Sequence, residues 1–155
     1  MRVRETLDAM PPDDQQRLLN QLTVGCGWVL RAAQLGLRDA PCGRILDALR
    51  AAQAPLARVA AQLDGRATTL APERGAPAGA RTGLRALGWQ DYLATQRPTE
   101  ATVLGTDLAA LAHQTRALVR VVQDDADTAH ITSHLHATLA ALTDLQRRLA
   151  AAVEP

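Results

Sequence analysis

The chain has 155 residues, 17 Lys and Arg against 16 Asp and Glu, and a formal net charge of +1. Charge so nearly balanced excludes the basic footprint of nonspecific nucleic-acid binding and gives no support to a specific nucleic-acid partner. The length suits one domain, 1–155, with a real core. The longest apolar run, VGCGWVL at 24–30, stops at Arg31, well short of the roughly 18 residues of a membrane span. The opening MRVRETLDAM is too polar for a signal peptide. Cys26 and Cys42 form no disulfide framework, so a cytoplasmic protein with reduced thiols is expected. Trp28, Trp89 and Tyr92 are the only aromatic residues, and every basic residue is Arg. A core of Leu, Ala, Val and Ile suits closely packed helices better than a sheet.

In chain order, Pro11 and Pro12 followed by Asp13 and Asp14 read as a helix start, because proline fits the first turn and acids favour its positive end. Leu18, Leu22, Cys26, Val29 and Ala33 then recur at helical steps, predicting a first long helix over about 12–35 that ends at Gly36. Asp39 as cap and Pro41 in the first turn open a second, 41–64, with Ile45, Leu49, Ala52, Leu56, Val59 and Leu63 on one stripe. Pro55 inside it should kink it, and Asp64-Gly65 ends it. Residues 65–98 form a crossover, rich in Gly, Pro, Ala and Arg up to 87, with a short helix over 88–96. A third long helix spans 99–124 on Val103, Leu104, Leu108, Leu111, Leu118 and Val122, and a fourth 128–152 on Ile131, Leu135, Leu139, Leu142, Leu145 and Leu149. Short turns make antiparallel neighbours, and a long crossover lets the second and third helices run the same way. The expected fold is therefore an all-α four-helix bundle with ferritin-like connectivity.

Three stretches carry a family likeness. ARVAAQLDGRATTLAPE at 57–73, LAALAHQTRALVRVVQDDADTAH at 108–130 and the small crossover helix WQDYLA resemble, in order and spacing, the Dps (DNA-protection-during-starvation) branch of the ferritin-like superfamily. The resemblance implies a homo-oligomer, a dodecameric shell, linked to iron handling or stress protection, with ferroxidase activity at a dinuclear site between subunits. In that family one subunit supplies histidines from its first two helices, and the other supplies Asp and Glu four residues apart on the second. Aligned without gaps through Gly36, those positions fall near Arg31, Gly43, Asp47, Arg58 and Gln62, and only Asp47 keeps a ligand. No histidine precedes His113, so the first two helices offer none. Arg31 and Arg58 would also repel cations. The usual ferroxidase centre is expected to be degraded.

Three of the four histidines crowd into DADTAHITSHLH, 125–136. At about 100° per residue, Asp127, His130 and His134 share one side of a helix, and an i, i+4 histidine pair can meet one ion. Asp127, His130, His134 and Asp47 are therefore the candidate metal ligands, for iron or zinc. The competing reading is an ordinary pair of rim histidines near a helix start, with no metal. A third possibility, the DinB-like metal-dependent bundle, needs a further histidine on an earlier helix. Besides a divergent Dps-type subunit, the open alternative is a metal-free helical module for assembly or partner binding. Cys26 and Cys42 would meet only if antiparallel pairing aligned them. The arginines Arg66, Arg74, Arg81, Arg85, Arg147 and Arg148 read as a solvated face or an anion contact.

Overall fold

The computed structural model describes residues 1–65 and 85–154, with backbone only at Pro98 and Glu100. Among the described residues the chain is all helical: α1 Val3–Asp8, α2 Pro12–Leu37, α3 Cys42–Leu63, α4 Trp89–Thr95, α5 Pro98–Gln123 and α6 Thr128–Val153. None is long and apolar enough to cross a membrane. The expected loop character of the crossover, with Arg66, Arg74 and Arg81, falls on residues outside the described ones.

The four long helices pack in a ring, α2 on α3, α3 on α6, α6 on α5 and α5 on α2. Side-chain contacts set their directions. Gln62, late on α3, donates to the backbone oxygen of Asp14, early on α2, at 3.2 Å. His136, early on α6, meets Asp64 just past α3 at 2.9 Å, while Arg50, early on α3, meets Glu154 just past α6. Arg148, late on α6, meets Asp107, early on α5. A Cβ built on Gly36, at the end of α2, would stand 3.0 Å from Leu108, early on α5. Every ring neighbour is thus antiparallel, and α3 and α5 run the same way.

The core follows the helical period. Leu18, Leu22, Val29, Ile45, Leu49, Leu56, Leu111, Leu118, Ile131, Leu135, Leu142 and Leu149 are buried, each full burial of such a side chain contributing about 1.5–3 kcal/mol before conformational entropy is charged against it. The third stripe differs from expectation. Val103 is exposed, and the buried steps run through Leu104, Leu108, Leu111, Thr115 and Leu118, the sequence a 3.6-residue turn dictates. Thr115 and Thr138 enter the core because their hydroxyls donate one turn back, to Leu111 and His134 carbonyls. The chain start also folds: α1 buries Val3 against the α5–α6 turn.

Neither α3 nor α6 has a side-chain cap. At α3 the amides of Cys42 and Gly43 donate instead to the carbonyls of Leu87 and Arg85, at 2.8 and 2.9 Å. Asp39 does not cap α3, contrary to the sequence expectation. It sits at φ 56° in the α2–α3 turn, and its Oδ1 accepts the Gln90 amide of α4 at 2.7 Å. An Asp at positive φ is tolerated because its short polar side chain bonds locally.

At Gly25 α2 packs tightly on α3: a Cβ there would lie 2.6 Å from the buried Leu56 Cγ, whereas one on Gly27 would meet nothing within 4 Å. Gly25→Ala is therefore expected to lower stability by about 1–3 kcal/mol through overpacking. Gly27→Ala should raise it by about 0.5–1 kcal/mol through helix propensity alone. Chemical denaturation of the two variants checks the opposite signs.

Candidate functional site

Among the described residues, a cluster of charge gathers where the segment before α4 crosses the start of α3. Arg85 lies across Gly43, whose missing side chain makes the room: a Cβ there would stand 2.9 Å from Arg85 Cβ and Nε. The Arg85 guanidinium donates to Asp47 Oδ2 at 2.6 Å, to the Gly43 carbonyl at 3.3 Å and to Glu154 Oε1. Arg50 grips the same carboxylate from the other side through both terminal nitrogens, at 3.0 and 2.6 Å. The Glu154 side chain is only 5% exposed. Asp47, Arg85, Glu154 and Arg50 thus alternate in sign and bind α3, the α4 approach and the end of α6 into one clamp.

The electrostatics fit a clamp rather than an acid–base centre. Arg50 first, and Arg85 after it, hold the Glu154 carboxyl below its ordinary value. Asp47 raises the Arg85 guanidinium further, aided by Glu154. A Glu154 carboxyl held in the charged form beside permanent cations is a poor proton donor near neutrality, and no Ser, Thr, Cys or Lys side chain stands in the clamp. A second set, Arg148 with Asp107 and Asp144, and Arg147 with Asp144, joins α5 to α6.

Of the sequence-derived ligands, Asp47 lies apart from the three at the start of α6. Asp47 is taken by Arg85. Asp127 sits at the start of α6, 61% exposed, 3.2 Å from the Met1 amino group, which is the main cause of its lowered carboxyl pKa. The His130 and His134 rings stand edge to face, 6.2 Å between centroids. His134 Nε2 is 3.3 Å from the Gln114 carbonyl, and His130 is exposed. His136 pairs with Asp64 while staying exposed. Among the described residues no three His, Cys, Asp or Glu side chains group closely enough to hold a metal ion. The positions that the Dps resemblance assigns are spent otherwise: Arg31 and Arg58 are exposed, Gly43 lies under Arg85, and Gln62 bonds Asp14.

Cys26 and Cys42 are both free and buried. Gly25 contacts Leu56, so Cys26 sits at the level of Leu56, about 21 Å along α3 from Cys42 by helical rise. Burial pushes both thiols up to about 11. A groove of about 520 Å³ runs between α4, α5 and α6, lined by Tyr92, Val103, Leu104 and Ala152 with Arg148 on its wall.

These features define an all-α protein with an ion-pair clamp. No family model matches the chain, and searches of curated proteins and of solved structures return no match.

Two expectations follow from the chemistry. Because the folded Glu154 carboxyl titrates below the ordinary 4.5, its stabilisation is complete above that value and is lost as the pH falls through the folded pKa. Thermal midpoints should therefore drop on acidification below about pH 4.5 more steeply in the parent than in Glu154→Gln, which has no charge left to lose. At neutral pH that variant should be the less stable by about 1–3 kcal/mol, because Arg50 loses its charged partner while Arg85 keeps Asp47. As for the thiols, Ellman's reagent at about pH 8 should label neither cysteine in the folded protein and both in denaturant; rapid native labelling would contradict their burial.

Proposed function

We propose that the chain is a metal-free assembly module, a bundle of ferritin-like path descended from Dps-type subunits, in which ion pairs have replaced iron ligands. The observation that carries the assembly reading is Trp28. Two of the three aromatic side chains, Trp89 and Tyr92, are buried, whereas Trp28 is 42% exposed on the outer face of α2. Val24, one turn earlier, is 49% exposed, and Gly27 between them leaves the backbone bare. A large aromatic beside a bare helix segment is the composition of an interface centre. The fitting occupant is a second copy of the chain, in keeping with a homo-oligomer.

The clamp supports the loss of iron chemistry. Asp47, the one ligand position the resemblance retains, faces a guanidinium that repels Fe(II) as effectively as it attracts carboxylate. Val29, Ala52, Thr115 and Thr138, one from each long helix, are fully buried and bring neither carboxylate nor imidazole into the core. A second reading, a working iron-handling and stress-protection subunit with its metal at Asp127, His130 and His134, draws support from the co-directional α3 and α5 and from the juxtaposed imidazoles.

Light scattering on the eluting protein is expected to show an oligomer in the parent and a monomer in Trp28→Glu, with unchanged circular dichroism. A monomeric parent overturns the assembly reading. Metal analysis of the purified protein, with Fe(II) oxidation followed by absorbance, separates the two readings: bound iron or zinc lost in His130→Ala and His134→Ala supports the second.

A further inference from the structure

One displacement runs through the whole chain. α1 and α4 begin at Val3 and Trp89, α2 and α5 at Pro12 and Pro98, α3 and α6 at Cys42 and Thr128; 89 less 3, 98 less 12 and 128 less 42 are all 86. α2 and α5 have the same length, 26 residues, with proline in the first turn of each.

The turns repeat bond for bond. After α2, the amides of Arg38, Asp39 and Ala40 donate to Gln34, Gly36 and Leu35; after α5, those of Asp124, Asp125 and Ala126 donate to Arg120, Val122 and Val121. Asp39 and Asp125 share φ 56°.

The docking of each turn repeats too, and it is reciprocal. Trp89 donates to Ala40 and Cys42 to Leu87; in the other half Val3 donates to Ala126 and Thr128 to Met1. Asp39 Oδ1 accepts the Gln90 amide at 2.7 Å, and Asp125 Oδ1 accepts the Arg4 amide at 2.8 Å. The first half therefore lays its leading segment on the second half's turn, and the second half does the same to the first. In the core Leu18 matches Leu104, Leu22 Leu108, Ile45 Ile131, Leu49 Leu135 and Leu56 Leu142, all buried. The packing pairs like with like, α2 on α5 and α3 on α6, as across a two-fold axis. The charge links share one end only: Arg50 reaches Glu154 past the end of α6, and His136, at the position matching Arg50, reaches Asp64 past the end of α3, four residues short of the position matching Glu154.

We propose that residues 3–63 and 89–149 are two copies of one unit, a short helix followed by a helical hairpin, fused into a single-chain dimer. The surface by which each half grips the other is an isologous interface, and the partner it fits is another copy of the same unit. A hairpin alone leaves its apolar face uncovered, which is why the unit occurs in pairs. General bundle packing would explain the antiparallel ring. It does not explain reciprocal backbone bonds from two leading segments to two identical turns, because a bundle needs neither.

The test uses the full chain in two forms. In Asp39→Ala, amide hydrogen exchange at Trp89 and Gln90 is expected to quicken about tenfold or more, and in Asp125→Ala the same change should appear at Val3 and Arg4. A response confined to one half overturns the proposal. Separately, a specific protease site placed between 66 and 84 allows the folded protein to be cut. The cut protein is expected to remain one complex of uncut mass with unchanged circular dichroism, and its melting point should become concentration-dependent. After unfolding and dilution, native mass spectrometry should show mixed pairs of halves together with like-with-like pairs. Halves that separate on cutting, or that re-form mixed pairs only, show that they are not copies of one self-complementary unit.

Discussion

The first amides of α3 and α6 must find acceptors, and no side chain at either helix start supplies one. Main-chain carbonyls arriving from elsewhere do so: Leu87 and Arg85 at α3, Met1 at α6. An unpaired amide at a covered helix end is costly, so these bonds tie the position of two distant segments to the position of two turns. The rest of the architecture is consistent with that constraint. Once 85–88 lies across the start of α3, α4 begins at once, Asp39 receives its Gln90 amide, and Trp89 is buried beneath α2 and α5. Arg85 is delivered at the same moment to the gap that Gly43 leaves.

What arrives with Arg85 decides the chemistry at that end of the molecule. A site for metal or proton transfer needs side chains with unsatisfied valence facing a common point. Here the facing groups are already neutralised, Asp47 and Glu154 by two guanidiniums, so the arrangement resists change rather than performing it. The two halves match in their turns and buried leucines but not on their outer surfaces. Val24, Gly27 and Trp28 on α2 correspond to Ala110, His113 and Gln114 on α5. Core positions answer to a partner of fixed shape within the chain. The outer face answers to whatever lies beyond it, and it is there that the halves have diverged.

Much of the fold was legible because helical burial leaves a periodic trace. The long helices lie within a residue or two of the positions read from the spacing of Leu, Val and Ile. The departures have particular causes. Val103 reads as apolar and adjacent to the stripe, yet it lies about 100° round the helix from Leu104. Thr115 reads as polar, yet its hydroxyl is satisfied within its own helix. α1 has too few residues to show a period, and its place comes from bonds to residues more than 120 positions away. Asp39 beside Pro41 has the local signature of a cap, but positive φ turns its carboxylate towards α4. The repeat was present in the sequence as Pro12 and Pro98, Asp39 and Asp125, Ile45 and Ile131, but the matches are sparse and mostly leucine, the commonest choice at any buried helical position.

By itself the sequence determined that the chain is helical, where its long helices begin and end, and which stripe of each faces inward, because these follow from propensity, proline placement and the period of apolar residues along one segment at a time. Only the tertiary structure decided which charges meet, which carbonyls serve the helix starts, and that the second hairpin is laid on the first as its counterpart. Those depend on distances between residues far apart in the chain. Arg85 and Glu154 carry no mark of each other in the sequence, since the energy that joins them arises only after the helices between them have packed.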